Sequence, residues 1–203
     1  MSEVRFDGFV LATRNEKKRV ELEAILASAL GRPVSVRSAA DLDLPEVVED
    51  GISFAENALL KARSAARESG LPAIADDSGL SVDVLGGAPG IFSARWSGVH
   101  GDDEANNRLL LAQLSDVKDE HRGAAFVCAA AFVAPDGTEF VEEGRFEGTL
   151  AREPRGTHGF GYDPLFVPAG ETRSAAELTP EEKNARSHRF LALTALAARL
   201  RSL

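Results

Sequence analysis

The sequence predicts an α/β protein built on a mixed sheet. Three observations carry this. Short apolar runs alternate with helical patterns early in the chain. One of those helices, SFAENALLKARSAARESG, has both ends marked. Further on, two long apolar runs flank PDGT, which is hairpin turn chemistry, so antiparallel pairing joins a βα alternation.

The elements follow in order. Gly8–Ala12 (GFVLA) reads as a buried strand. Asn15–Leu30 places apolar residues at Val20, Leu22, Ile25, Leu26 and Leu30, the spacing of an amphipathic helix capped by Thr13 or Asn15. VSVRS at 34–38 predicts a second strand, and Leu42–Gly51 an acidic loop. Ser53 and Glu56 form an S-x-x-E capping box, and Gly70 closes that helix. Ala73–Asp76 and Leu80–Val84 read as two strands joined tightly through Asp77-Ser78-Gly79. GGAPG is a loop, and Glu104–Leu114 a helix. Ala124–Ala134 and Glu139–Gly148 are the hairpin strands. REPRGTHGFGYDPLFVP is too rich in Gly and Pro for regular structure outside LFV. Thr179 caps the last helix, with Pro180 first and Glu182 third, and Phe190, Leu193, Leu196 and Leu200 form its stripe.

The 203 residues suit one domain (1–203), including one of two lobes sharing a sheet. The net charge of −9 argues against non-specific binding to nucleic acid or anionic membrane, both of which need a basic face. Cys128 stands alone in AAFVCAAAFVA, so no disulfide forms within the chain, which fits a reducing compartment. It reads as a small buried hydrophobe. The N-terminus lacks a signal-peptide pattern, and no apolar run approaches ~20 residues. The expected location is the cytoplasm.

Local conflicts point to a ligand. Lys17, Lys18 and Arg19 fall in the first turn of a helix, where the backbone is already partly positive. Either they form a solvated basic face offset by Glu21 and Glu23, or free amides and lysines converge on an anion. Asp76 and Asp77 make the opposite conflict, two adjacent carboxylates with Glu49 a candidate third. A turn hydrogen bond explains one. A divalent cation such as Mg2+, which takes a few carboxylates together with phosphate oxygens, explains both. In GFGYDP the glycines free the backbone; Phe160 and Tyr162 read as core, or Phe160, exposed on the loop, as a surface for stacking on a base.

TRNEKK (13–18), SFAENALLKA (53–62), AIADDSGLSVDVLGGAPGIFSARWSG (73–98), GFGYDPLFVP (159–168) and ELTPEEKNARSHR (177–189) occur in that order. The chain thereby resembles the non-canonical purine NTP pyrophosphatases, the Ham1-like or inosine triphosphate pyrophosphatase family, from about residue 9 to residue 200. The resemblance implies an elongated mixed β-sheet with helices in two lobes flanking a central nucleotide-binding cleft. It implies homodimers that use Mg2+ to hydrolyse ITP, dITP and XTP to the monophosphate and pyrophosphate. It also assigns residues. Thr13, Arg14, Asn15, Glu16, Lys17 and Lys18 match the phosphate-binding segment, with Thr13, Asn15 and Lys18 as its contacts. Glu49 and Asp77 match metal-associated carboxylates, and Asp77 also the general base. Ser78 matches a substrate contact and Lys61 a lysine facing the phosphates. Phe160, Gly161, Tyr162 and Asp163 match the base-binding loop. Lys183, His188 and Arg189 match the remaining nucleotide contacts. Arg14 stands where many members have Gly, and His158 where small or amide residues are common. Lys18 and Lys61 would stabilise the leaving pyrophosphate, while His188, Arg189 or loop amides would distinguish a 6-keto from a 6-amino purine. Rival readings are a pyrophosphatase for other damaged or pyrimidine nucleotides, and a nucleotide sensor without catalysis.

Overall fold

Alternation along the strands explains how the core is divided. The computed structural model describes residues 8–202. Six strands form one sheet: β1 (Gly8–Leu11), β2 (Ser35–Ser38), β3 (Ala73–Val82), β4 (Gly123–Val133), β5 (Glu139–Leu150) and β6 (Phe166–Pro168). Their order is β2-β1-β3-β4-β5-β6. β1 pairs parallel with β2 and with β3, and β5 pairs antiparallel with β6, so the sheet is mixed. Among the described residues, five α-helices accompany it: α1 (Glu16–Leu30), α2 (Phe54–Ser69), α3 (Asp103–Gln113), α4 (Pro180–Asn184) and α5 (His188–Leu200).

The chain divides into two units. The first runs to Asp77 and takes in Cys128–Gly144 and the chain from Leu191 onward; the second holds Ser78–Val127 and Arg145–Phe190. In the first unit, successive strand residues face opposite sides, as the pleat requires. Phe9, Leu11, Ile74, Cys128, Ala130 and Phe132 share one cluster with Leu22 and Leu26 of α1 and Leu193 and Leu196 of α5. Val10, Ala73, Ala75, Ala129 and Ala131 share another with Ala58, Ala62, Ala65 and Ala66 of α2. The stripe predicted for α1 holds at Leu22 and Leu26, whereas Val20 is half-exposed. Cys128 is fully buried, and burial pushes its thiol well above the usual range.

The second unit packs Leu80, Val82, Leu110, Leu114, Phe126, Phe146, Leu150, Tyr162, Leu165 and Phe166 together. Arg122 is buried here with its guanidinium on three carbonyls, those of Leu150, Leu114 and Ala151, at 2.7–2.9 Å. That satisfies a buried charge without a carboxylate. Trp96 donates its indole N–H to Gln113 and packs against this core.

The PDGT turn forms as predicted. Gly137 has φ +91° and donates to Ala134 O at 3.0 Å, and Ala134 donates to Thr138 O at 2.8 Å.

Two expectations are corrected. The predicted turn at Asp77-Ser78-Gly79 does not exist; β3 runs unbroken from Ala73 to Val82. Gly79 is there for clearance rather than for a turn. A Cβ at this position would lie 2.7 Å from Gly90 O and would also strike Ser93 Oγ. The last helix is two helices. Thr179 and Glu182 form a full capping box for α4, but the chain leaves the helix after Asn184. Ser187 then accepts from Phe190 N at 3.1 Å, as a cap does at the start of α5.

Candidate active site

The first unit gathers the charged residues. Asp76 and Asp77 occupy successive positions of β3, so they face opposite sides of the sheet. Asp76 follows Ile74 toward α1 and Asp77 follows Ala75 toward α2. Each meets its own lysine. Lys18 Nζ lies 2.6 Å from Asp76 Oδ2, whose carboxylate is buried. Lys61 Nζ lies 3.4 Å from Asp77 Oδ1 and 3.0 Å from Glu49 Oε1.

α2 presents two residues to Asp77 from one face. Asn57 and Lys61 are four apart, one turn along the helix. Asn57 Nδ2 donates to Asp77 Oδ2 at 3.1 Å, while its Oδ1 accepts from Gly51 N at 2.9 Å. The same contact seats the acidic loop on the start of α2. A Cβ on Gly51 would come within 2.7 Å of Asn57 Oδ1, so only glycine lets the loop lie this close. Ser53 caps α2 by accepting from Glu56 N, but Glu56 reaches back to Ile52 N rather than to Ser53 N, one residue beyond the usual box.

The electrostatics follow from one ammonium serving two carboxylates. Burial raises the Asp77 pKa above the ordinary aspartate range. Lys61 and the Asn57 hydrogen bond act against that rise, and Glu49 adds to it. Burial opposes the charge on Lys61, but Asp77 and then Glu49 overcome it and its pKa is raised. The ammonium gains two counterions; Asp77 shares one and faces a second anion.

The phosphate-segment candidates divide. Asn15 caps α1 and accepts from Lys17 N at 3.0 Å and Lys18 N at 3.4 Å, so these two amides are not free as one reading of the sequence had them. Thr13 Oγ1 accepts from Asn15 N at 3.2 Å. Arg19 is held by Glu16 and Glu23 within the helix, which takes Glu16 away from any ligand. Lys17 is exposed. Arg14 donates to Leu44 O at 3.0 Å and lies 3.7 Å from Glu46, tying this segment to the acidic loop. Thr13, Arg14, Glu46, Glu49, Lys61 and Ser64 line a recess of about 330 Å³ within this unit.

The second unit holds the other candidates. Phe160 is 79% exposed. Its neighbours are fixed: Asp163 is buried, accepts from Phe160 N at 3.0 Å and pairs with Lys183 Nζ at 2.5 Å. The same ammonium sits 5.1 Å from the Phe160 ring centroid. Gly159 allows the fold-back, since a Cβ there would lie 2.9 Å from Asp163 Cγ. Tyr162 belongs to the core instead. Its hydroxyl donates to Ser93 O at 2.9 Å, and burial, then Asp103, raise its pKa. His188 stacks on Phe126 with centroids 5.2 Å apart. Arg189 is buried, and that burial pushes its pKa down to about 10. Ser78 is half-buried in β3, and His158 is exposed.

Sequence reasoning missed three residues, Asn57, Asp103 and Asn107, and one pairing, that of Lys18 with Asp76. Asn57 lay in a segment already singled out, but an amide among helix formers carries no signal of its own. The lysine partner of Asp76 depends on strand alternation that a supposed turn concealed. Asp103 and Asn107 of α3, which bind Gly161, resemble ordinary helix-start polarity. Among the described residues no cluster of three or more His, Cys, Asp or Glu side chains is assembled for a metal. Glu49 and Asp77 are joined through Lys61.

Residues 9–199 match the model of the Ham1 family. The chain is 62% identical to a dITP/XTP pyrophosphatase of Streptomyces avermitilis, over 96% of this chain and 97% of that one. It is 55% identical to a dITP/XTP pyrophosphatase of Mycobacterium tuberculosis, over 96% and 95%. Among solved structures, a nucleoside-triphosphatase, or dITP/XTP pyrophosphatase, from Mycobacterium abscessus is 57% identical with a TM-score of 0.79, covering 93% of this chain and 98% of that one. A HAM1 protein from Coxiella burnetii is 40% identical with a TM-score of 0.88, covering 97% and 99%. The segments that carry the paired lysines, the carboxylates and the aromatic loop all lie within the matched residues, and the chain belongs to the Ham1 family.

Proposed function

We propose that this chain is a nucleoside-triphosphate pyrophosphatase that converts dITP, XTP and ITP to the monophosphate and pyrophosphate, clearing deaminated purines from the nucleotide pool. The observation that carries this reading is the Lys61 ammonium shared by Asp77 and Glu49 beside a partly buried carboxylate. Its relatives named dITP/XTP pyrophosphatase support the substrate class.

In this mechanism Asp77 orients a water and takes its proton. The water oxygen forms a bond to the α-phosphorus as the bond to the bridging oxygen breaks, and pyrophosphate leaves with that oxygen. Burial makes Asp77 a stronger base than an ordinary aspartate. Lys61 and Lys18 face the charge that develops on the leaving group. Lys18 also holds Asp76, but an ammonium has three donors and about a third of this side chain is exposed, so a phosphate can still reach it. Asn57 fixes the Asp77 carboxylate.

Mg2+ suits these residues. Glu49 and Asp77 are hard oxygen donors already drawn to one cation, and two carboxylates leave coordination positions for phosphate oxygens. Bound there, it would supply charge neutralisation along the triphosphate.

Base selection belongs to the second unit. Phe160 offers its ring to the purine face. The amides of Phe160 and Gly161 already donate to Asp163 and Asp103, so the donors to a 6-keto oxygen are side chains, with Arg189 first among them. An amino group at that position would meet donor with donor. Tyr162 contributes through the core and its backbone rather than by stacking. The working form is a homodimer in the cytoplasm.

The test is product analysis with ITP and Mg2+. Inosine monophosphate with pyrophosphate supports the reading; inosine diphosphate with orthophosphate overturns it.

A further inference from the structure

Gly161 is gripped at both its backbone groups by one helix. Asp103 Oδ2 accepts from Gly161 N at 2.7 Å, and Asn107 Nδ2 donates to Gly161 O at 2.8 Å. Asp103 and Asn107 are four apart in α3, so both side chains leave the same face one turn apart. Asn107 is buried and Asp103 is exposed. Gly161 itself has φ +61°, a conformation that other residues adopt reluctantly.

The grip comes from far along the sequence, 58 residues for Asp103 and 54 for Asn107. It is not part of the loop's own turn. The loop's internal bonds run from Phe160 N to Asp163 and from Asp163 N to Phe160 O. They fold the segment back on itself without locating it against the rest of the unit. Asp163 is anchored by Lys183 and by Ala176 N, and Tyr162 by Ser93 O, while the α3 contacts anchor Gly161, the residue next to Phe160. What they hold in place is a large aromatic ring, 79% exposed, with an ammonium 5.1 Å from its centroid. A loop that only connected two elements would have no need of a fixed exposed ring.

The geometry points to Asp103 as a positioning residue for base recognition, with Asn107 as the buried half of the same clamp. It acts through the Gly161 amide, setting where Phe160 stands before a nucleotide arrives. The proposal rests on the reading that the purine stacks on Phe160. Holding the ring in advance removes ordering from the binding step, so loss of the clamp weakens ground-state binding and leaves the phosphate chemistry of the first unit alone.

The experiment compares Asp103→Ala, Asp103→Asn and Phe160→Ala with the unaltered enzyme, using ITP and Mg2+. Asp103 is exposed, so the alanine variant folds, and circular dichroism with a thermal melt confirms it. Asp103→Ala should raise KM about tenfold, the scale of a lost hydrogen bond to a charged acceptor, with kcat within about threefold. Asp103→Asn keeps an oxygen that accepts from Gly161 N and should restore most of the KM. An unchanged KM in Asp103→Ala, a fall confined to kcat, or an asparagine variant as impaired as alanine overturns the proposal. Phe160→Ala separates the two ideas. If it raises KM while Asp103→Ala does not, the clamp fails and stacking stands. If it leaves KM unchanged, stacking itself fails.

Discussion

Asp76 and Asp77 are neighbours in the chain yet point away from each other, one to Lys18 at 2.6 Å and the other to Lys61 at 3.4 Å. The pleat of β3 separates two like charges that sequence alone places side by side. One side of the sheet then carries a buried carboxylate paired with Lys18, and the other a carboxylate with a shared counterion and a raised pKa.

Asp77→Asn should lower turnover with ITP by orders of magnitude and leave the fold intact. Stability should not suffer at neutral pH. The folded carboxyl has a raised pKa, so the native state holds the proton more readily than the unfolded chain does. Ionisation therefore works against the native state, and this loss appears as pH rises from the unfolded value, about 3.9, through the raised one. The asparagine variant should melt at an equal or higher temperature at pH 7, with the difference shrinking in acid. Near wild-type turnover would remove Asp77 from the mechanism.

Asn57→Ala removes a hydrogen bond that lowers the Asp77 pKa. The acid limb of kcat/KM should move to higher pH, above its position in the unaltered enzyme. A pH-rate profile measures this directly, and an unmoved limb would dissociate Asn57 from the base.

Lys18→Met should destabilise the protein by about 1–3 kcal/mol in urea, because it takes an ammonium from a buried carboxylate. Combining it with Asp76→Asn should recover most of that loss. Turnover should stay low in both, which separates the stabilising part of Lys18 from its work on phosphate.

Arg189→Ala should reduce kcat/KM for ITP far more than the small rate with ATP. On the proposed reading a buried donor opposite a 6-keto oxygen is the basis of the preference, and equal losses for both substrates would assign Arg189 to general binding.

Much of this architecture was legible because local chemistry agreed with tertiary structure. The Ser53 and Thr179 caps, the Gly70 stop and the Gly137 turn each needed only neighbours in sequence. The failures share one cause. Ser78-Gly79 has the composition of a turn, but what decides its conformation is the backbone at Gly90, distant along the chain. The stripe from Phe190 to Leu200 is continuous with α4 on paper, and a single hydroxyl, Ser187, starts a new helix within it. In the candidate site, lysines and carboxylates announced themselves by being out of place. Asn57, Asp103 and Asn107 did not, since an amide or a carboxylate at a helix start is ordinary until its partner is known. Phe160 stood open between core and surface until it proved exposed, and Tyr162 is hydrogen-bonded inside the core.

The outward-facing ring of Phe160 has a consequence of its own. A flat hydrocarbon face welcomes any planar heterocycle, normal or damaged, with similar strength. If the purine stacks there as proposed, the ring cannot tell a spoiled nucleotide from a sound one, and fidelity resides in the atoms along the purine's edge. On that same reading, a dye or drug with a comparable aromatic plane would compete for the same perch.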